Sequence, residues 1–159
     1  MPTPTYTPIA TQTLVSNTAT ITFNSLSNSY RDLILVMSYE MTASTSPIIR
    51  VNSDSASNYS TINILGSGSP ISQTQQRTSF LCHSDNSSID YPITHMSHFM
   101  DYSTTNKHKP VITRVARDQN WVELIAQNWA STSAINSITI QTAEQFKAGS
   151  TFTIYGVIS

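Results

Sequence analysis

D-L-I-L-V-M-S-Y-E-M, residues Asp32 to Met41, sets Leu33, Leu35, Met37, Tyr39 and Met41 on one side of an extended chain. Ile34 and Val36 fall on the other side, because successive strand side chains point to opposite faces. A strand apolar on both sides is ordinarily central in a sheet and covered on both faces. Just upstream, T-A-T-I-T-F (Thr18 to Phe23) alternates more strictly, with Ala19, Ile21 and Phe23 on one face and Thr18, Thr20 and Thr22 on the other. That is a half-buried strand with a wet outer side.

The same twofold period extends in both directions. Pro47 to Asn52 carries Ile48, Ile49 and Val51, and Thr61 to Leu65 is short and extended before the turn Gly66-Ser67-Gly68-Ser69-Pro70. Ile71 to Cys82 is extended with a weak pattern, and Ile89 to Tyr102 sets Ile89, Tyr91, Ile93 and Phe99 on one face. Val111 to Arg117 alternates again, and Ile135 to Ile140 and Thr151 to Ile158 complete the series around the turn Ala148-Gly149-Ser150. Asn120 to Trp129 fits a helical stripe through Trp121, Leu124, Ile125 and Trp129, and a strand through Val122, Leu124 and Ala126. Ten residues without a clear cap make a marginal helix, so its β surroundings assign it as a strand. The sum is about ten short strands between Ser/Asn/Gly loops. It predicts an all-β chain folded as a two-sheet antiparallel β-sandwich, jelly-roll-like.

Pro2, Pro4 and Pro8 punctuate the first residues. Repeated proline resists helix and ladder pairing and favours an extended chain. Residues 1–9 are therefore expected to form an N-terminal arm, with 10–159 as a single sandwich domain. Candidate interface residues are Pro2, Pro4, Tyr6 and Pro8 in the arm, and Trp121 and Trp129, whose large rings suit cores and contacts.

Composition narrows the function. Charged residues are 11% of the 159, against roughly 25% in an ordinary soluble domain, and Ser and Thr fill roughly three positions in ten. Such a hydroxyl-rich surface suits packing against neighbours, and it is also common in extracellular β-domains. A net charge of −1 offers no footprint for nucleic acid. Lys107, Lys109, Arg114 and Arg117 fall together, and read best as a solvated strand edge, where lysine discourages edge pairing. One cysteine, Cys82, excludes an intrachain disulfide. Met1 to Ala10 has no basic region followed by an apolar run, and no stretch approaches bilayer-spanning length. The expectation is synthesis in a cytoplasm without membrane insertion.

Reactive groups are dispersed. The histidines are His83, His95, His98 and His108. His95 and His98, three apart, fall on opposite faces of a strand and cannot share a metal there. There is no G-x-S-x-G elbow, Gly66-Ser67-Gly68 lacks the following Lys-Ser/Thr of a phosphate loop, and Asp85 and Asp90 merely flank a loop. Asp54 in the loop Ser53 to Ser60 supplies one carboxylate, too few for calcium, and turn chemistry accounts for it. Trp121, Trp129, Tyr59, Tyr91, Tyr102 and Tyr155 could form a sugar-stacking platform, although core or subunit-interface packing is the favoured reading of such residues. No catalytic residue, metal or cofactor is expected.

Several stretches carry a family resemblance: Y-T-P-I-A-T-Q-T-L from Tyr6, Y-R-D-L-I-L-V from Tyr30, and I-R-V-N-S-D-S-A-S-N-Y-S from Ile49. W-A-S-T-S-A-I-N-S-I-T-I from Trp129 and F-K-A-G-S-T-F-T-I-Y-G-V-I from Phe146 join them. Together they resemble a family of small virion structural proteins of tailed bacteriophages, cyanobacterial phages among them, with a divergent middle between Gly66 and Asn120. The resemblance implies a non-enzymatic virion component. It would be a capsid decoration (cement) protein that binds the assembled shell of major capsid protein as a homo-oligomer, a trimer being favoured, or else a tail-fibre or tail-appendage module contacting host glycan. A free carbohydrate-binding domain is a third possibility.

Overall fold

The computed structural model describes residues 5–66, 72–82, 91–117 and 121–158. Among them there are twelve strands and no helix. In chain order they are β1 (Tyr6–Thr13), β2 (Thr18–Phe23), β3 (Asp32–Tyr39), β4 (Ile48–Val51), β5 (Tyr59–Gly66) and β6 (Ser72–Thr78). The remainder are β7 (Leu81–Cys82), β8 (Ile93–Phe99), β9 (Lys109–Arg117), β10 (Trp121–Trp129), β11 (Ile138–Phe146) and β12 (Thr151–Val157). They form an eight-stranded sheet in the order β1-β12-β3-β8-β9-β10-β5-β6 and a four-stranded sheet in the order β2-β11-β4-β7. All pairs are antiparallel.

Setting aside β5-β6 and β9-β10, the chain alternates between sheets except where β4 and β7 follow one another as neighbours in the small sheet: β1, β3, β8 and β12 in one, β2, β4, β7 and β11 in the other. That four-on-four alternation is a jelly roll. The two set-aside pairs are insertions, and β10 pairs with β5 to join them onto the open side of β8. One sheet is thereby doubled while its partner keeps four strands.

Burial follows the alternation read from the sequence. Leu33, Leu35 and Met37 are fully buried and face the small sheet, where Ile21, Phe23, Ile49, Val51, Ile138 and Ile140 meet them. Phe146 of β11 sits edge-on to Tyr39 (5.4 Å between centroids) and to Phe152 (5.1 Å), so one ring of the small sheet wedges between two strands of the large one. Such edge-to-face pairs add about 0.5–1.5 kcal/mol each beyond the area they bury. Asn120 to Trp129 resolves as strand β10 from Trp121 onward, with Glu123, Ile125, Gln127 and Trp129 facing inward.

Three expectations are corrected. The arm assigned to 1–9 gives way at Tyr6 to β1, which pairs with β12 along its length. Pro8 is accommodated because β1 is an edge strand, and the register shifts between Pro8 and Ala10, a bulge where a missing N–H is tolerated. The basic residues of β9 do not lie on a strand edge, since β9 runs between β8 and β10. Lys109 is fully buried, its Nζ donating to the carbonyls of Lys107 (2.7 Å) and Thr132 (3.3 Å), and burial, reinforced by Lys107, lowers its pKa. Finally, Ile71 to Cys82 is broken into β6 and β7, which belong to different sheets. Pro2, Pro4, His83, Asp85, Ile89 and Asp90 lie outside the described residues.

A glycine closes one end of the sandwich. At Gly156, on β12, the Tyr30 ring occupies the space that a side chain would need. Tyr30 packs against the core there, and its carbonyl accepts from Ser103 Oγ at 3.3 Å. Gly156→Ala must push this ring out, and overpacking of this kind costs about 1–3 kcal/mol. The expected thermal melt is several degrees lower for Gly156→Ala than for the parent. The penalty shrinks in a Tyr30→Ala background, where the obstructing ring is gone; equal penalties in both backgrounds contradict the account.

Candidate functional site

The face of the large sheet that points away from the small sheet is the surface the fold leaves uncovered. Antiparallel register places its side chains in rows across the strands. One row runs Tyr155, Ile34, His98, Ile112, Ala126, Ile62. The next runs Thr153, Val36, Met96, Arg114, Leu124, Ile64, and a third ends in Ala116, Val122 and Gly66. Ile62 (45% exposed), Ile64 (46%), Val122 (61%) and Leu124 (45%) are large apolar side chains in water, with Tyr6 (57%) at the opposite edge. Isolated exposed apolar residues are ordinary, but a contiguous group marks a contact surface. Ile34 and Val36, which made β3 read as covered on both sides, lie in this face; among the described residues no further layer of secondary structure packs over it.

Two hollows divide the face. One, of about 640 Å³, is bordered by Ile64, Met96, Val122, Leu124 and Arg114. The other, of about 440 Å³, is bordered by Tyr6, Tyr155, Ile34, Val36, Arg31 and His98. They meet at Met96 and Arg114, whose Nη2 lies 2.7 Å from the Met96 sulfur.

Asp32 organises the second hollow. Its carboxylate is only 3% exposed. Oδ2 accepts from Arg31 Nη2 (2.8 Å) and Nε (3.2 Å) and pairs with His98 Nε2 (3.0 Å), while Oδ1 accepts from the Asp101 amide (2.8 Å). Burial pushes this carboxyl up, but the bonds from Arg31, Asp101 and His98 outweigh burial and hold it below the ordinary carboxylate value. The sequence pattern gave no sign of this hub. Its one trace was an acid at the mouth of an apolar strand, where an unpaired charge would be costly.

On the inner face, beneath the inserted strands, polar side chains interrupt the core. His95 Nε2 lies 2.8 Å from Ser97 Oγ, Ser97 Oγ lies 2.7 Å from Thr113 Oγ1, and Thr113 Oγ1 donates to Gln127 Oε1 at 3.0 Å. A serine beside a histidine is the beginning of nucleophilic chemistry. Here Ser97 is fully buried and His95 only 1% exposed, so no substrate reaches either in this conformation. His95 and His98 indeed fall on opposite faces of β8, as their spacing requires, and His108 is exposed in the loop before β9. Among the described residues no group of three His, Cys, Asp or Glu side chains converges to hold a metal.

The loop 53–60 is built by turn chemistry. Asp54 Oδ1 accepts from the Ala56 amide (2.9 Å), and Oδ2 accepts from Asn58 Nδ2 (2.9 Å) and Trp129 Nε1 (2.7 Å). Tyr59, fully buried, donates its hydroxyl to the Asp54 carbonyl at 3.0 Å, and burial raises its phenol to about 12. These bonds separate the candidate contact residues. Trp129 is 3% exposed and anchors this loop, so it is a core residue and not a free contact. Trp121 also faces inward, half-buried beneath the Arg117 guanidinium at 4.1 Å. Among the described candidates, only Tyr6 and Pro8 stay exposed, beside Tyr155 and Val157.

Comparison of this chain with protein families, curated proteins and solved structures finds no match.

The lowered Asp32 carboxyl has a definite pH signature. The unfolded chain binds that proton more readily, so this stabilisation is complete above the ordinary carboxylate pKa of about 3.9 and is lost as pH falls through the lower folded value. Asp32→Asn is expected to cost about 1–3 kcal/mol at neutral pH. Its urea-measured stability should also fall less steeply than the parent's in acid. Parallel acid profiles would contradict the assignment.

Proposed function

We propose that this chain is a structural component of a tailed-bacteriophage particle, a non-enzymatic β-sandwich that decorates the assembled shell as a homo-oligomer and makes its contacts through the outer face of the large sheet. The observation that carries the reading is the contiguous apolar surface of Ile62, Ile64, Val122 and Leu124 on a doubled sheet. Eight strands of about seven residues span on the order of 800 Å² in plan, the area that one side of a standard protein interface buries. Centre and margin also differ as an interface requires, since the outward side chains of β5 and β10 are uncharged, Glu123 being turned inward, and Arg114 lies at their border.

The resemblance to virion proteins supports the particular setting. Its stretches fall on β1, β3, β4, β11 and β12 and reach the ends of β5 and β10, while the divergent middle between Gly66 and Asn120 contains β6 to β9.

Two measurements test the reading. Quantitative mass spectrometry of purified particles should find this chain in hundreds of copies, bound to assembled shells and not to free coat protein. A dozen copies located on the tail would favour the appendage role, and absence from particles would refute both. In vitro, Val122→Glu with Leu124→Glu should leave monomer stability within about 0.5 kcal/mol, since both sites are exposed. Shell binding and self-association should each weaken at least tenfold, about 1.4 kcal/mol, as read by co-sedimentation and light scattering.

A further inference from the structure

At the corner where β1, β12, β3 and β8 meet, the outer face changes character. The hollow there has an apolar floor from Ile34 and Val36, tyrosines from two neighbouring strands, and cationic walls from Arg31 and Arg114. Its one carboxylate, Asp32, is already occupied by four N–H groups. The carboxylate therefore adds no open acceptor to the hollow; it holds Arg31 and His98 in place. Arg31 uses Nε and Nη2 on Asp32 and keeps Nη1 for a ligand, and its side chain is 56% exposed. Arg114 makes one weak contact, to a thioether sulfur, which leaves most of its donor fork open.

We propose that this hollow is a binding site for a carboxylated sugar, a pyranose ring bearing an acid group. The site goes beyond the assembly role; it lies on the β1–β12 side of the face and meets the β5–β10 hollow only at Met96 and Arg114. Guanidinium forks match a carboxylate's geometry and charge. Tyr6 and Tyr155 present ring faces and a hydroxyl edge, which suit the C–H face and hydroxyl rim of a pyranose. Their strands are paired, with Tyr6 opposite Val157 and Pro8 opposite Tyr155, so the rings lie within reach of one ligand. A hollow of about 440 Å³ has the size of an ordinary small-ligand site. An acidic peptide is the competing occupant. Its usual mode, strand addition to the β1 edge, is obstructed by Pro8 and the bulge beside it.

Titration of the full chain followed by NMR tests this, with glucuronic acid, glucose, acetate and a glutamate-rich peptide as probes. Glucuronic acid should shift the Tyr6, Tyr155 and His98 resonances and bind at least about tenfold, 1.4 kcal/mol, more tightly than glucose or acetate. Arg114→Ala and Tyr155→Ala should each weaken it about tenfold, whereas Lys107→Ala, outside the hollow, should not; the thermal melt of each variant reports whether it is folded. Equal affinity for glucose, tighter binding of the peptide, or no shift at tens of millimolar glucuronic acid overturns the proposal. An Ile62→Glu variant, which breaks the apolar patch at a position facing Ala126 and not Arg114, should weaken shell binding and keep sugar binding, so the site and the assembly reading can fail separately.

Discussion

Leu33, Leu35 and Met37 press into the sandwich core, while Ile34 and Val36, one residue out of step, point the other way. Because a strand shows its side chains to both faces, a strand apolar on both needs two covers. The small sheet supplies one. The large sheet, doubled by β5-β6 and β9-β10, extends the uncovered side until it carries a surface as large as a protein interface. Most of what distinguishes this molecule follows from that imbalance between eight strands and four. It accounts for the exposed Ile62, Ile64, Val122 and Leu124, for the hollows between their rows, and for the location of a contact surface on a sheet face instead of a loop.

The same imbalance shapes the interior. Where the jelly-roll strands face one another the core is aliphatic and aromatic, wedged by Phe146 between Tyr39 and Phe152. Toward the inserted strands, Lys109, Thr113, Glu123, Gln127, Thr61 and Asn63 share the inward positions with apolar side chains such as Val111 and Ile125. Most buried polar groups meet partners; Thr61 Oγ1 and Asn63 Oδ1 are buried without a hydrogen-bond partner among the described residues. Ser97, Thr113 and Gln127 form a hydrogen-bonded chain with His95 at its head, and Lys109 gives its ammonium to two carbonyls. With few charges in the whole chain, several are buried or held by structure, which leaves an outer surface of hydroxyls and aliphatic side chains.

Much of this was legible residue by residue. T-A-T-I-T-F in β2 and the inward set of β3 match the observed burial, and β10 followed its β surroundings over its helical stripe. The opposite placement of His95 and His98 followed from spacing alone. Less legible were features that join distant positions. Tyr6 to Thr13 forms a strand because β12 offers an edge to it, in spite of Pro8. Trp121 and Trp129 read as contact residues from their chemistry, yet odd positions on β10 face inward. Asp32 looked unremarkable until His98 and Asp101, more than sixty residues away, came to its carboxylate.

From the chain alone came the local facts: which segments extend, which side of each is apolar, and that an all-β sandwich is the way to bury them. These depend on alternation over a few residues, which any short window contains. Only the tertiary structure decided which strand lies beside which, that two hairpins enlarge one sheet, and that β3's second apolar face lies open. Pairing order is set by backbone hydrogen bonds that every strand can offer equally to any other. The choice among partners emerges only when the entire set of faces is packed at once.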